Sequence, residues 1–267
     1  MAYALVTGAS KGIGKEIALC LARRKYSLLL VARSEHLLQE YAADWSRHYE
    51  IEVHYLALDL SLPGAARRVY DWVDQHHWQV QVLINDAGYG LWGYFNGLER
   101  EAQDRMLQIN MQTLFDLTHL MLPVLRQNAP AYILQVGSMA GMQAMPSLAG
   151  YSASKAFVNT FSRALHEELK PFQVYVTLLA PGSVDTHFVE VSGMHHMEKM
   201  AKKTALSAAV VAREAVDALF RRKRQVTPGF SNRLTAWAVK HLPKSWVEKI
   251  IASLYRRKDG PEGHTDR

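Results

Sequence analysis

Tyr3-Ala4-Leu5-Val6-Thr7-Gly8-Ala9-Ser10-Lys11-Gly12-Ile13-Gly14 decides how this chain folds. A short apolar run leads straight into a glycine turn, and the turn opens a helical pattern over Ile13–Lys25. Glycines there permit positive φ and let a pyrophosphate approach the backbone at a helix N-terminus, where amides and the helix dipole favour an anion. The spacing is Gly-x-x-x-Gly-x-Gly. It is neither the Gly-x-Gly-x-x-Gly fingerprint nor a P-loop, since no Gly-Lys-Ser/Thr closes it. A tight strand–helix turn with no ligand is the plainer reading. Its place at the first βα junction of an alternating chain favours nucleotide binding.

Outward from that turn, strand-like and helix-like stretches alternate. Ser27–Ala32, Glu52–Leu58, Val80–Asn85, Ala131–Val136 and Tyr175–Ala180 read as strands. Ser34 to His48, a stretch opened by Ser61 and Pro63, Glu101–Gln127 and Tyr151–Lys170 read as the helices between them. Strands separated by helix-length crossovers imply a parallel sheet with helices on both faces. The expected organisation is a catalytic domain over residues 1–212 and a basic helical extension over 213–267, packed on the same domain.

Bulk properties exclude several classes. The chain has 267 residues, a size for one large α/β domain, and its hydrophobic share of 49% is ordinary for a globular protein. No apolar run approaches the ~18–20 residues a membrane span needs. The N-terminus lacks the basic start, apolar core and cleavage site of a signal peptide, so a cytoplasmic location is expected. Cys20 is the only cysteine, which leaves no disulfide framework and no thiolate metal site. The net charge of +6 is uneven: residues 213–267 hold 13 Lys/Arg against 6 Asp/Glu, and residues 1–212 hold 18 against 19. The basicity belongs to the tail, so nucleic-acid binding is not expected.

The second strand ends Val31-Ala32-Arg33-Ser34, with no acid to hold the ribose hydroxyls of NAD. Arg33 can pair with a 2′-phosphate and Lys11 can add a second positive charge, which favours NADP(H) over the reading of two solvated cations. Farther on, Tyr151 and Lys155 stand four apart on one helix face. A phenol titrates near pH ~10. A neighbouring ammonium favours its ionised form and makes it a usable proton donor and acceptor. Ser138 follows a strand, so its hydroxyl belongs at the sheet edge where α/β proteins bind ligands. Asn110 is an amide among the apolar residues Met106, Leu107, Ile109 and Leu114, which must be hydrogen-bonded if buried.

Thr7–Gly14, Asp59, Asn85-Asp86-Ala87-Gly88, Asn110, Ser138, Tyr151, Lys155 and Pro181-Gly182, in this order and spacing, resemble the short-chain dehydrogenase/reductase family across about residues 2–190. The resemblance implies a doubly wound Rossmann-type domain whose seven-stranded parallel sheet binds NAD(P) at the carboxyl ends of its strands. It implies a catalytic tetrad of Asn110, Ser138, Tyr151 and Lys155, with Asn110 anchoring a water that links Lys155 to solvent. Cofactor contacts are implied for Gly8, Ser10, Lys11, Gly12, Ile13, Gly14, Arg33, Asp59, Leu60, Asn85, Ala87, Gly88, Tyr151, Lys155, Pro181, Gly182, Val184 and Thr186. The chain departs from the family at Asp86, where an asparagine is usual. A modest effect on sheet stability or local hydration is expected from the added charge. The reaction so implied is NADPH-dependent reduction of an apolar or lipid-like ketone or aldehyde. The alternative is an NADP(H)-sensing protein without turnover.

Weaker signals surround this set. Tyr89, Leu91, Trp92, Tyr94 and Phe95 suit an apolar substrate wall or packing under a loop. His187, His195 and His196 are weighed as metal ligands and set aside, because adjacent histidines diverge on a helix and no carboxylate or cysteine completes a set. The apolar excess of Asp104–Gln127 suggests a second buried face, hence a homodimer or homotetramer. Two amphipathic stretches, with Ser231 and Ser245 as candidate caps, close the chain. Their basic, tryptophan-bearing composition suits an anionic membrane. The preferred reading folds them back over the substrate mouth or another subunit.

Overall fold

Ser27–Ala32 is apolar at every position but the first, and Leu28, Leu29, Leu30 and Val31 are all fully buried. A strand with apolar side chains on both faces is stable only inside a sheet covered on both sides. The computed structural model describes residues 2–185 and 205–255, without the side chains of the last two, and shows that arrangement. In chain order the elements are β1 (Tyr3–Thr7), α1 (Gly12–Arg23), β2 (Ser27–Ala32), α2 (Glu35–Tyr49), β3 (Val53–Ala57), α3 (Ala65–Gln75) and β4 (Val80–Asn85). Then come α4 (Arg100–Leu107), α5 (Thr113–Gln127), β5 (Ala131–Val136), α6 (Ala149–Leu169), β6 (Val174–Leu179), β7 (Val184–Asp185) and β8 (Leu206–Ser207). α7 (Ala208–Phe220), β9 (Gln225–Val226), α8 (Phe230–His241) and α9 (Lys244–Tyr255) complete the described chain.

Seven strands form one parallel sheet in the order β3-β2-β1-β4-β5-β6-β9, and β7 pairs with β8 in a separate small ladder. Alternation along each strand divides the core. Ala4, Val6, Leu28 and Leu30 pack with Ile17, Leu21, Leu38 and Val216 from α1, α2 and α7. Leu5, Leu29, Val31 and Leu83 pack with Val69, Leu117, Met121 and Leu165 from α3, α5 and α6. The strand order reverses between β1 and β4, so the crevice for a ligand opens at their carboxyl ends, beside the glycine turn.

Three sequence expectations change. α7 runs through residues 212 and 213 without a break, and β9 pairs with β6 as the seventh strand, so the sheet domain continues past the expected boundary. The long helix divides into α4, a π-helical stretch Gln108–Gln112, and α5. Ser231 lies inside α8, whose N-cap is Gly229 with φ 84°, a left-handed backbone that a serine there would resist. Ser245 likewise lies within α9.

Candidate active site

The glycine turn is held by its neighbours' backbones. The amides of Gly8 and Ala9 donate to the carbonyl of Val31 at 2.9 and 3.3 Å, which ties the turn to the end of β2. Gly8 and Gly12 have φ of 72° and 60°. A Cβ on Gly14 would lie 2.5 Å from the Gly8 carbonyl oxygen and 2.5 Å from Asp86 Oδ2, so only glycine fits. Thr7 Oγ1 accepts from the amides of Asp86 and Ala87 at 3.1 and 3.3 Å and binds the turn to the end of β4. Lys11 occupies the N-cap position of α1 without a side-chain capping bond and is exposed, as is Arg33 just past β2. A glycine-rich cradle at a helix N-terminus, with two exposed cations near it, fits a phosphorylated dinucleotide.

Asp59 lies past β3. Burial raises its carboxyl, but the amide and hydroxyl of Ser61, with Arg33 and Arg105 nearby, outweigh that and hold it below its ordinary value. Leu60 gives its carbonyl to Thr113 Oγ1 at 2.8 Å, which pins the start of α5. Asn85 turns inward: Nδ2 donates to Thr118 Oγ1 at 3.0 Å and Gln135 Oε1 at 3.1 Å. Its amide therefore supports the floor from beneath instead of lining the cleft. Gly88 sits where a Cβ would lie 2.6 Å from Asn110 Oδ1 and 3.6 Å from Lys155 Nζ.

Asn110 falls in the π-helical stretch, a distortion common at functional sites. Its Oδ1 accepts from the amide of Tyr89 at 3.1 Å, and its Nδ2 donates to the Tyr89 carbonyl at 2.9 Å and to Ser154 Oγ at 3.0 Å. It joins the loop after β4 to α6, one residue from Lys155. Ser138, Tyr151 and Lys155 meet at the end of β5. The Ser138 hydroxyl is hydrogen-bonded with the Tyr151 phenol, and Lys155 Nζ lies 6.0 Å from the phenol ring centre. Lys155 Nζ donates to the Val136 carbonyl at 2.8 Å.

Electrostatics here depart from the simple pairing expected of Tyr151 and Lys155. Burial pushes the phenol up to about 12, and the Asp86 charge pushes the same way, against the Ser138 hydrogen bond. Burial also pulls Lys155 down to about 8, with Asp86 opposing. Desolvation thus weakens the ammonium that was expected to lower the phenol. Asp86 is half-buried as a residue, but its carboxyl faces inward to the Gly14 amide, and burial raises it to about 7 against the pull of Lys155. The unusual acid belongs to the site itself: it touches the glycine turn and senses Lys155.

An apolar cluster surrounds the phenol. Trp92, Met106, Met145, Leu148 and Tyr151 pack with Val247 and Ile251 of α9, with Tyr89 and Leu91 alongside. Phe95 stays outside it, 70% exposed. Pro181, Gly182 and Val184 follow β6. The Pro181 carbonyl accepts from the amide of Met139 at 3.0 Å, and Gly182 lies under Asn232 of α8. Thr186, His187, Phe188, His195 and His196 lie outside the described residues.

A family model for short chain dehydrogenases matches residues 2–196. The chain belongs to that family. Over 209 residues it is 35% identical to a very-long-chain 3-oxoacyl-CoA reductase of Laccaria bicolor, covering 77% of this chain and 59% of the relative. The enzyme of the same name from Anas platyrhynchos is 34% identical over 215 residues, covering 78% of this chain and 68% of the relative. A short-chain dehydrogenase from Sphingobium yanoikuyae, solved in complex with NADPH, has a TM-score of 0.80 and 26% identity, over 100% of this chain and 99% of that one.

Within this family member, two features escape the motif pattern. Asn159 donates from Nδ2 to the Ser138 carbonyl at 2.9 Å and accepts from its amide at 3.4 Å, fixing the serine backbone from both sides. The sequence carried a signal: Asn159 continues the four-residue spacing of Tyr151 and Lys155 along one face. Gln143, in the loop between Ser138 and Tyr151, has a buried Oε1 without a hydrogen-bond partner among the described residues. No spacing rule marks it.

Proposed function

We propose that this chain is an NADPH-dependent carbonyl reductase acting on an apolar ketone or aldehyde, with long-chain 3-oxoacyl thioesters as the first substrate class to test. The observation that carries the reading is the Ser138–Tyr151 hydrogen bond beside Lys155, placed between the glycine cradle and an apolar cluster. The names of the two relatives support the substrate class, and the NADPH complex of the structural neighbour supports the cofactor. Lys11, Gly12, Ile13 and Arg33 would hold the phosphates, and Asp59, Ala87, Gly88, Pro181, Gly182 and Val184 the rest of the dinucleotide. NADPH held there would supply a hydride for the carbonyl carbon.

The protein's own groups handle the oxygen. The Ser138 hydroxyl donates to the carbonyl oxygen and steadies the negative charge that develops on it. Tyr151 gives its phenolic proton to that oxygen. A phenol near 12 is protonated at neutral pH, which suits proton donation and hence the reductive direction. Lys155 carries positive charge behind the phenolate that remains, and Asn110 braces the wall at Tyr89 and Ser154. The cluster around Tyr151 excludes water and accepts the apolar part of the substrate. A cytoplasmic location completes the reading.

The test is NADPH oxidation against 3-oxoacyl thioesters, ketosteroids and small ketones. Tyr151→Phe keeps the ring and loses the proton, so cofactor binding should persist while kcat falls by about 10²-fold or more. NADPH should be preferred to NADH, and Arg33→Ala should erase that preference. A fully active Tyr151→Phe enzyme would overturn the mechanism. Cofactor binding with no turnover across the panel would leave a dinucleotide sensor.

A further inference from the structure

The exposed large apolar side chains concentrate in one place. Phe230 is 75% exposed, Leu234 58%, Trp237 60%, Trp246 65% and Ile250 57%, all on α8 and α9. Phe230, Leu234 and Trp237 follow helical spacing and form one stripe, as do Trp246 and Ile250. The opposite side of α9 is spent elsewhere: Val247 and Ile251 are 7% and 8% exposed and pack in the cluster around Tyr151. The two sequence readings of this tail therefore coexist, with the inner face folded over the site and the outer face apolar and bare among the described residues.

We infer that the outer face of α8 and α9 docks on the surface of a membrane containing anionic lipid. Arg233, Lys240, Lys244 and Lys249 are exposed along these stripes, and Glu248 is the only acid from Phe230 to Ile250. Apolar stripes with flanking cations and tryptophans match the acyl boundary and the anionic headgroups above it. Each helix has 12 residues, and no helix among the described residues is long and apolar enough to cross a membrane, so the pair lies in the interfacial plane. A second copy fits less well, because symmetric pairing would set the same cations against each other. This inference stands apart from the substrate reading, and its readout does not depend on turnover.

The experiment is flotation of the full chain with phosphatidylcholine vesicles, with and without phosphatidylserine. A Trp237→Glu/Trp246→Glu variant is run beside it, with its thermal unfolding midpoint as the check on folding. The wild type should float with phosphatidylserine vesicles and bind pure phosphatidylcholine about tenfold or more weakly. The double variant should stay at the bottom of the gradient with its unfolding midpoint unchanged. A wild type that stays at the bottom with both vesicles, or a double variant that floats as well as the wild type, overturns the inference. So does light scattering that shows the variant splitting an oligomer of a wild type that does not float, which would make a second copy the occupant.

Discussion

Asp86 stands where the family usually has an amide, and its surroundings assign it a cost with a definite pH dependence. Burial lifts its carboxyl from 3.8 to about 7, so the fold favours the protonated form. That contribution is complete below pH 3.8 and is lost as pH rises through about 7. Asp86→Asn should therefore raise the melting temperature. The gap from wild type should open between about pH 4 and about pH 7 and stay level above it. Unfolding curves across that range check this, and a gap that does not vary with pH would show that the carboxyl is solvated. Asn159 offers a second test at this scale. Asn159→Ala removes both hydrogen bonds to the Ser138 backbone and leaves buried groups unpaired, at about 1–3 kcal/mol. Calorimetry should register that loss, and kcat should fall while cofactor affinity holds. The sequence marked Asp86 as a departure and Asn159 by its spacing, but the burial of the one and the partners of the other depend on which strand ends the fold brings together. The motif residues were legible because their chemistry and spacing are local.

Among the elements, the 3₁₀ turn Met139–Met142 is closely confined. It passes α6 so closely that a Cβ on Gly141 would lie 2.5 Å from the Lys155 carbonyl oxygen. Backbone cannot yield as a side-chain tip can, so Gly141→Ala should move the turn, Ser138 with it, and destabilise the protein by about 1–3 kcal/mol. A melting temperature equal to wild type would mean that the turn and α6 sit farther apart. The same scale shows what sequence patterns miss. β1 to β6 and the helices between them were legible, because each carries a period or an apolar run bounded by turn residues. β9 has two residues, Gln225 and Val226, too few to show a period, and only its pairing with β6 makes it a strand. The π-helical stretch is invisible for a related reason: Gln108–Gln112 differs from α-helix by its tertiary demands at Tyr89 and Ser154, not by composition.

In the whole molecule, much of the apolar excess of α4 and α5 is absorbed inside. Met106, Leu114, Leu117, Met121 and Leu125 are buried. Phe115 remains 41% exposed, with Phe161 5.3 Å away and Phe157 stacked on Phe161 at 5.6 Å. This seam is our candidate for the face that a second subunit covers. Phe115→Asp should convert an oligomer to a monomer in light scattering and leave the melting temperature of the monomer close to that of wild type. A wild-type monomer would refute it. The sheet domain was legible in the sequence almost entire, while the course of the tail was not, since an amphipathic helix states that it has an apolar face but not what lies against it.

The position of α9 also bears on how reactants are supplied. Val247 and Ile251 belong to the cluster that contains the Tyr151 phenol, and Trp246 and Ile250 are exposed on the same two turns. The dinucleotide cradle opens elsewhere, at the carboxyl edge of the sheet beside Gly8 and Arg33. If the outer face docks on lipid as inferred, reductant and oily substrate would come from different phases: one would be drawn from water, the other through a roof resting on lipid. For such an arrangement the turnover rate follows the mole fraction of substrate in the bilayer, and adding inert lipid slows the reaction even when the total amount of substrate is constant.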